Sequence, residues 1–402
     1  MAGTDTTMLK KIACEAIDEN AAELRDLNRK IWENPELSCN EKFAHKVLTD
    51  FLEEKGFDVT RSWALETAFV ARSGNGDDGP CVGVICEYDA LPEVGHACGH
   101  NLIAAAGAAA GIGIKAAIDS LSGCKGKISV LGTPAEEHGN GKGTMIRNGC
   151  FESIDFCMMV HPFPSNTTMP TVLADKVVMA TFKGQTTHAA AFPWEGVNAL
   201  DAAIMAYSNL SMLRQQLRPS WRFHSIITEG GVKPNIIPDQ TKMIVEYRAP
   251  TENELKQLED KCIRCLEGAA MATGCTLEME FLGEPHYSNL ATNERMASLY
   301  QANAETIGEE FPPLDEQKAV VLGSTDMGNV SHVVPSIHPL YSIGTASVNH
   351  SHAFREAAGQ DISHEKSLLA AKAMAMTAID LLCNKGLMDE VRREFEKTHA
   401  EE

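Results

Sequence analysis

The chain has 402 residues, 44% of them hydrophobic, and 35 basic against 55 acidic side chains give a formal net charge of −20. That length exceeds one ordinary core and predicts two domains, and the hydrophobic content excludes a disordered chain. The acidic balance excludes nucleic acid and anionic membrane as partners, because both repel a negative surface, and it fits cationic small molecules.

Met1 to Lys11 has no apolar core, so no signal peptide is expected, and the twelve cysteines then read as reduced thiols of a cytoplasmic protein. Ile12 to Asn34 carries apolar residues at helical spacing and stops at Pro35. Glu41 to Lys55 is a second expected helix, and Phe57 to Ala71 reads as strand material. Val82 to Cys86 predicts a buried strand, with the helix Asn101 to Leu121 after it. The small-residue run Leu102 to Ile118 within that helix resembles a membrane span in length, but it carries Lys115 and sits inside a strand–helix alternation, so a buried helix is expected. Strands follow at Lys127 to Leu131 and Ile154 to Val160, separated by a glycine-rich stretch, Gly139 to Thr144, that lacks phosphate-loop spacing and is expected to be a flexible connector.

The pattern then changes to β-α-β-β-α-β: Lys176 to Phe182, Asn198 to Leu217, Phe223 to Thr228, Thr241 to Arg248, Glu252 to Thr273 and Thr276 to Phe281. Cys262 and Cys265 form a C-x-x-C inside that last helix, with no second pair nearby to make a metal site. Beyond Pro285 the first pattern resumes: a helix at Asn293 to Ile307, short strands at Ala319 to Leu322 and Pro339 to Ile343, a long helix at Ser363 to Cys383 and a charged terminal helix that frays. The expected fold is α/β: a doubly wound, mostly parallel-sheet domain of residues 1–174 and 286–402, with an inserted split-βαβ (ferredoxin-like) domain of residues 175–285.

The chemistry gathers at strand ends. Cys98 and His100, the adjacent pair Glu136 and Glu137, then His161, then His350 or His352 each follow a predicted strand. In an open α/β sheet such ends converge, and N, S and O donors that converge make a metal site. Neighbouring Glu136 and Glu137 point differently, so one suits the metal and the other a water beside it. The spacing to Phe354 favours His350 over His352. No Gly-x-Ser-x-Gly nucleophile elbow is present, which discounts a serine hydrolase.

Tyr88-Asp89-Ala90-Leu91-Pro92, His96-Ala97-Cys98-Gly99-His100, Pro134-Ala135-Glu136-Glu137, Val160-His161-Pro162, His188-Ala189-Ala190, Asn235-Ile236-Ile237-Pro238 and His350-Ser351-x-x-Phe354 occur in one order along the chain. With these motifs the chain resembles the amidohydrolase branch of the zinc aminoacylase/carboxypeptidase G metallopeptidase family. Cys86 to Pro92, Gly99 to Leu102 and Ser324 to Val330 make it similar, within that branch, to the β-alanyl-lysine (Xaa-Arg) dipeptidase group.

The resemblance implies one or two divalent ions (zinc, manganese or cobalt) on Cys98, His100, Glu137, His161 and His350, with Glu136 as general base. It implies a lid and dimerisation role for the inserted domain, with His188 stabilising an oxyanion and His188 and Asn235 touching substrate. It points to dipeptide-like amides with lysine, arginine or ornithine at the leaving side, and Asp326 is a candidate for the cationic side chain. The implied protein is a metal-dependent homodimeric dipeptidase or amidohydrolase. N-acyl-amino-acid amidohydrolysis, as in aminoacylases and auxin-conjugate hydrolases, and a non-catalytic binding relative are the alternatives. The branch carries Asp after Cys-Gly-His where this chain has Asn101.

Overall fold

The computed structural model describes residues 6–74, 79–120 and 125–401. They form two compact units, Met1–Thr171 with Leu290–Glu402, and Val172–Asn289.

The sheet of the first unit contains β1 (Asp58–Arg61), β2 (Phe69–Ser73), β3 (Cys81–Glu87), β4 (Lys127–Thr133), β5 (Phe156–Met158) and the short strand Ser336–Ile337. Its order is β1-β2-β4-β3-β5, with Ser336–Ile337 outermost. Four strands run parallel, and β1 and β2 join antiparallel at one edge. β3 is buried along its whole length, as its apolar run from Cys81 to Cys86 requires of a central parallel strand. Helix His100–Asp119 packs on β3 and β4 and against helix Asp361–Cys383. It is long and apolar enough to cross a membrane, yet Leu102 to Ile114 are all buried in the core of this unit.

Three expected elements differ. The helix expected over residues 12–34 is two helices, Thr6–Glu19 and Ala21–Glu33, broken at Asn20, whose side-chain amide donates to the carbonyl of Ala16. The strand material of residues 57–71 folds back on itself as β1 and β2, because Ser62 and Ala64 between them take left-handed backbone angles, φ 53° and 71°. The glycine-rich stretch is no flexible connector: helix Gly141–Arg147 starts inside it, capped by Asn140, whose side chain accepts from the amide of Gly143. The glycine serves close packing there, since a Cβ on Gly141 would lie 1.8 Å from the carbonyl oxygen of Pro134. The terminal helix, Lys385–Glu401, is docked through Met388 and Val391.

The second unit has its own core and a four-stranded antiparallel sheet of β6 (Ala174–Lys183), β7 (Arg222–Glu229), β8 (Gln240–Ala249) and β9 (Thr276–Tyr287). The order β9-β6-β8-β7, with helices Ala199–Leu213 and Glu252–Thr273 as the crossovers, is the split-βαβ arrangement. Cys262 is buried and Cys265 partly so, both as free thiols within that second helix.

Candidate metal centre

The cluster forms where β3 and β4 end. β3 closes on Glu87, and two residues later stands Asp89. The chain then returns through Cys98 to Gly99, whose left-handed φ of 87° caps helix His100–Asp119. Only glycine fits that position, since a Cβ would lie 2.5 Å from Pro162 Cγ. Beyond β4, Ala135 takes φ 62° and turns Glu136 and Glu137 inward. Buried Glu41 holds that turn by accepting from the amide of Ala135 at 3.0 Å. His161 begins a short strand, His161–Phe163, paired parallel with Leu340–Ser342. His350, at φ 65°, is pinned through its amide to the carbonyl of Ala97. Strained non-glycine backbone beside the candidate ligands is typical of functional sites.

These elements bring six residues named from the sequence together. Cys98, His100 and His161 can converge on one ion, as can Cys98, Glu137 and His350, and His100, Glu136 and Glu137. Cys98 Sγ lies 3.4 Å from His161 Nε2, His100 Nε2 3.8 Å from Glu137 Oε1, and His350 Nε2 3.5 Å from the same oxygen. His350 is the histidine that reaches the cluster; His352 starts the next helix and is exposed. Asp89, fully buried and ionised well below the usual carboxylate range, accepts from His100 Nδ1 at 3.1 Å. With a cation bound, that bond would keep the ring's proton on Nδ1 and leave Nε2 as a lone-pair donor. His100 Nε2 and Glu137 Oε1 are buried without a hydrogen-bond partner, 3.8 Å apart. Two lone-pair atoms facing each other fit a cation between them, so the donor set of N, O and S suits a divalent ion.

Burial, then the charges of Glu87 and Glu137, push Glu136 well above the usual carboxylate range. Burial and then the neighbouring His100 lower His161 to about 4, which keeps its imidazole neutral and able to ligate. Burial pushes the Cys98 thiol up, the state that a bound cation reverses.

Asp326 is placed differently from the sequence reading. It is fully buried, and it takes the Lys142 ammonium at 2.6 Å on one oxygen and the Lys142 amide at 2.9 Å on the other. Both oxygens are engaged inside the protein, so Asp326 is a partner of Lys142 and not an open receptor for a substrate's cation. Asn101 is likewise structural: its amide donates to Asn28 Oδ1 at 2.8 Å and to the carbonyl of Ala358 at 3.1 Å. A carboxylate there could donate to neither.

The sequence reading missed Glu87, Asp89 as the carboxylate behind His100, Lys142 and His338. His338 is fully buried with its ring 5.4 Å from that of His161, and neither nitrogen has a partner. Asp89 lay inside a quoted motif, and its spacing from His100 was the available signal; Lys142 sits in the stretch expected to be flexible.

His188 and Asn235 belong to the second unit, where a backbone bridge pairs His188 with Ile236 and the amide of Ala189 donates to the carbonyl of Asn235. The amides of Ala190 and Ala191 donate to His188 Nδ1, both at 3.2 Å. Nδ1 is therefore the acceptor and Nε2 carries the proton on an exposed ring.

Residues 85–373 match the profile of peptidase family M20/M25/M40. The chain is similar to the Xaa-Arg dipeptidase of Mus musculus, 45% identical with 98% of this chain and 94% of that one covered. It is also similar to the Xaa-Arg dipeptidase of Homo sapiens, at 43% over 99% and 94%. Among solved structures it shares its fold with a dinuclear metal-binding peptidase of the M20 family from Bacillus subtilis, at a TM-score of 0.71 and 20% identity, covering 91% of this chain and 99% of that one.

Proposed function

Because this chain belongs to peptidase family M20/M25/M40, a hydrolase acting on peptide bonds with divalent metal, we propose that it cleaves small dipeptide-like amides with lysine, arginine or ornithine at the leaving side. The convergence of Cys98, His100, Glu136, Glu137, His161 and His350 on one cluster carries the catalytic part of that reading. The Xaa-Arg dipeptidase relatives support its substrate part.

A divalent ion on Cys98, His100, Glu137, His161 and His350 would supply a lowered water pKa and a polarised carbonyl. The rest falls to the protein. Glu136 takes the proton of the attacking water and passes it to the leaving amine. Asp89 holds His100 in the ligating tautomer. His188 donates from Nε2 to the oxyanion, a role its Nδ1 contacts support by fixing the tautomer. Asn235 meets the substrate beside it.

The reading extends to a homodimer and to a cytoplasmic location. β7 is an edge strand of its sheet with Ile226 exposed, which supports pairing between copies of the inserted domain, there acting as the lid. No disulfide joins the described cysteines to one another, which supports a reducing compartment.

The test is a panel of amides hydrolysed by purified protein loaded in turn with zinc, manganese and cobalt. β-Alanyl-lysine and arginine-ending dipeptides are expected to turn over fastest. Faster turnover of N-acetyl amino acids or indole conjugates would move the reading to an aminoacylase-type amidohydrolase.

A further inference from the structure

Glu87 ends β3 fully buried, and its two oxygens have different surroundings. Oε1 accepts from the ammonium of Lys142, which also reaches Asp326 Oδ1 at 2.6 Å. Lys142 is itself fully buried and is held through its amide by Asp326. Oε2 is buried, has no hydrogen-bond partner, and lies 3.6 Å from His100 Nε2. His100 Nε2 is equally buried without a hydrogen-bond partner, while Nδ1 lies 3.1 Å from Asp89 Oδ1. Two buried atoms without a hydrogen-bond partner, 3.6 Å apart in a dry site, are what a cation between them would satisfy.

We infer that Glu87 is a further metal-facing carboxylate of this centre, aimed at the ion on His100 by Lys142. Lys142 is a positioning residue. Its ammonium occupies one oxygen of Glu87 and, tied to Asp326, fixes where the other points. The surrounding charge agrees: Glu87, Asp89, Glu136 and Glu137 lie within 4.0 Å of the His100 ring, and Glu87 shares the Lys142 ammonium with Asp326. Such a surplus of carboxylate needs more positive charge than Lys142 supplies. The inference rests on the metal-centre reading above and adds a ligand to it.

The experiment counts ions on the full-length protein. Wild type and Glu87→Gln are loaded with zinc, dialysed against chelators of graded strength, and measured by elemental analysis. Cobalt-loaded samples are followed by absorption. Glu87→Gln keeps the side chain's shape and can still accept from Lys142, but presents an amide to His100. We expect wild type to hold two ions per chain and Glu87→Gln to bind one of them at least tenfold more weakly, on the usual tenfold to hundredfold effect of altering a metal's surroundings. The cobalt–thiolate band of Cys98 should persist. Lys142→Met should weaken the same ion. If Glu87→Gln fails to fold as the apoprotein, the double variant Glu87→Gln/Lys142→Met removes both charges of the pair and replaces it in the same measurement. A folded variant with wild-type stoichiometry and affinity overturns the inference. A wild-type protein that takes up no metal overturns the reading beneath it instead.

Discussion

His100 Nδ1 lies 3.1 Å from Asp89 Oδ1, both side chains fully buried. The second oxygen of Asp89 accepts from the amide of Glu137 at 3.0 Å and from Ser38 at 2.8 Å. One carboxylate therefore orients His100, on the helix after β3, and anchors Glu137, on the turn after β4. Its role explains why the two strand ends act as one site.

Replacing Glu136 with Gln should nearly abolish turnover while metal stays bound. The amide preserves shape but takes no proton, and a lost general base costs on the order of a hundredfold or more. Turnover and metal content are measured on the same preparation. A residual rate above roughly a tenth of wild type would place the base elsewhere.

Cys98 should be shielded from iodoacetamide in the metal-loaded protein and labelled after chelation. The thiol is buried among His161, His350 and Glu137, and a coordinated thiolate is a poor nucleophile. Peptide mass mapping reads the site directly. Equal labelling with and without chelator would remove Cys98 from the ligand set.

Gly141→Ala should lower stability by roughly 1–3 kcal/mol, as overpacking does. The new Cβ meets the carbonyl of Pro134 at 1.8 Å and must displace the turn that carries Glu136 and Glu137. Metal affinity should fall with stability. Thermal unfolding of the apoprotein and metal titration check both parts, and unchanged values would show that the turn is less constrained than its geometry indicates.

Asp175, in the second unit, has its pKa pushed up to about 6 by burial, against the pull of Arg248 at 3.6 Å. Its ordinary value is 3.8, so the folded state binds the proton more tightly than the unfolded state. Its contribution to stability is present below about pH 4 and is lost as pH rises through about 6. Asp175→Asn should therefore gain up to about 3 kcal/mol over wild type at pH 7 and almost nothing at pH 4. Denaturant titrations at the two pH values decide it, and an equal gain at both would refute the linkage.

Glu136→Gln and His188→Ala should each be almost inactive alone. If His188 serves the neighbour's site across a two-fold axis, mixed dimers contain one site with both groups intact. Co-expression should then restore part of the activity. A dimer whose subunits demonstrably exchange without any recovery would confine His188 to its own subunit.

The sequence by itself determined the fold class and most of the residues that gather in the candidate centre. Apolar runs such as Val82 to Cys86 mark central strands, and Cys98, His100, Glu136, Glu137 and His161 each follow a strand that can be recognised locally. The tertiary structure alone decided what stands behind them. Lys142 meets Glu87 and Asp326 across 55 and 184 residues of chain, and no local pattern encodes such a meeting. It also reversed two expectations. Glycines around Lys142 suggest mobility, yet they permit backbone to pack against backbone. Asp326, a candidate for the substrate's cationic side chain, instead gives one oxygen to the buried ammonium of Lys142 and the other to its amide. Periodicity reports which face of an element is apolar; which polar groups end up opposite one another depends on how the elements are brought together.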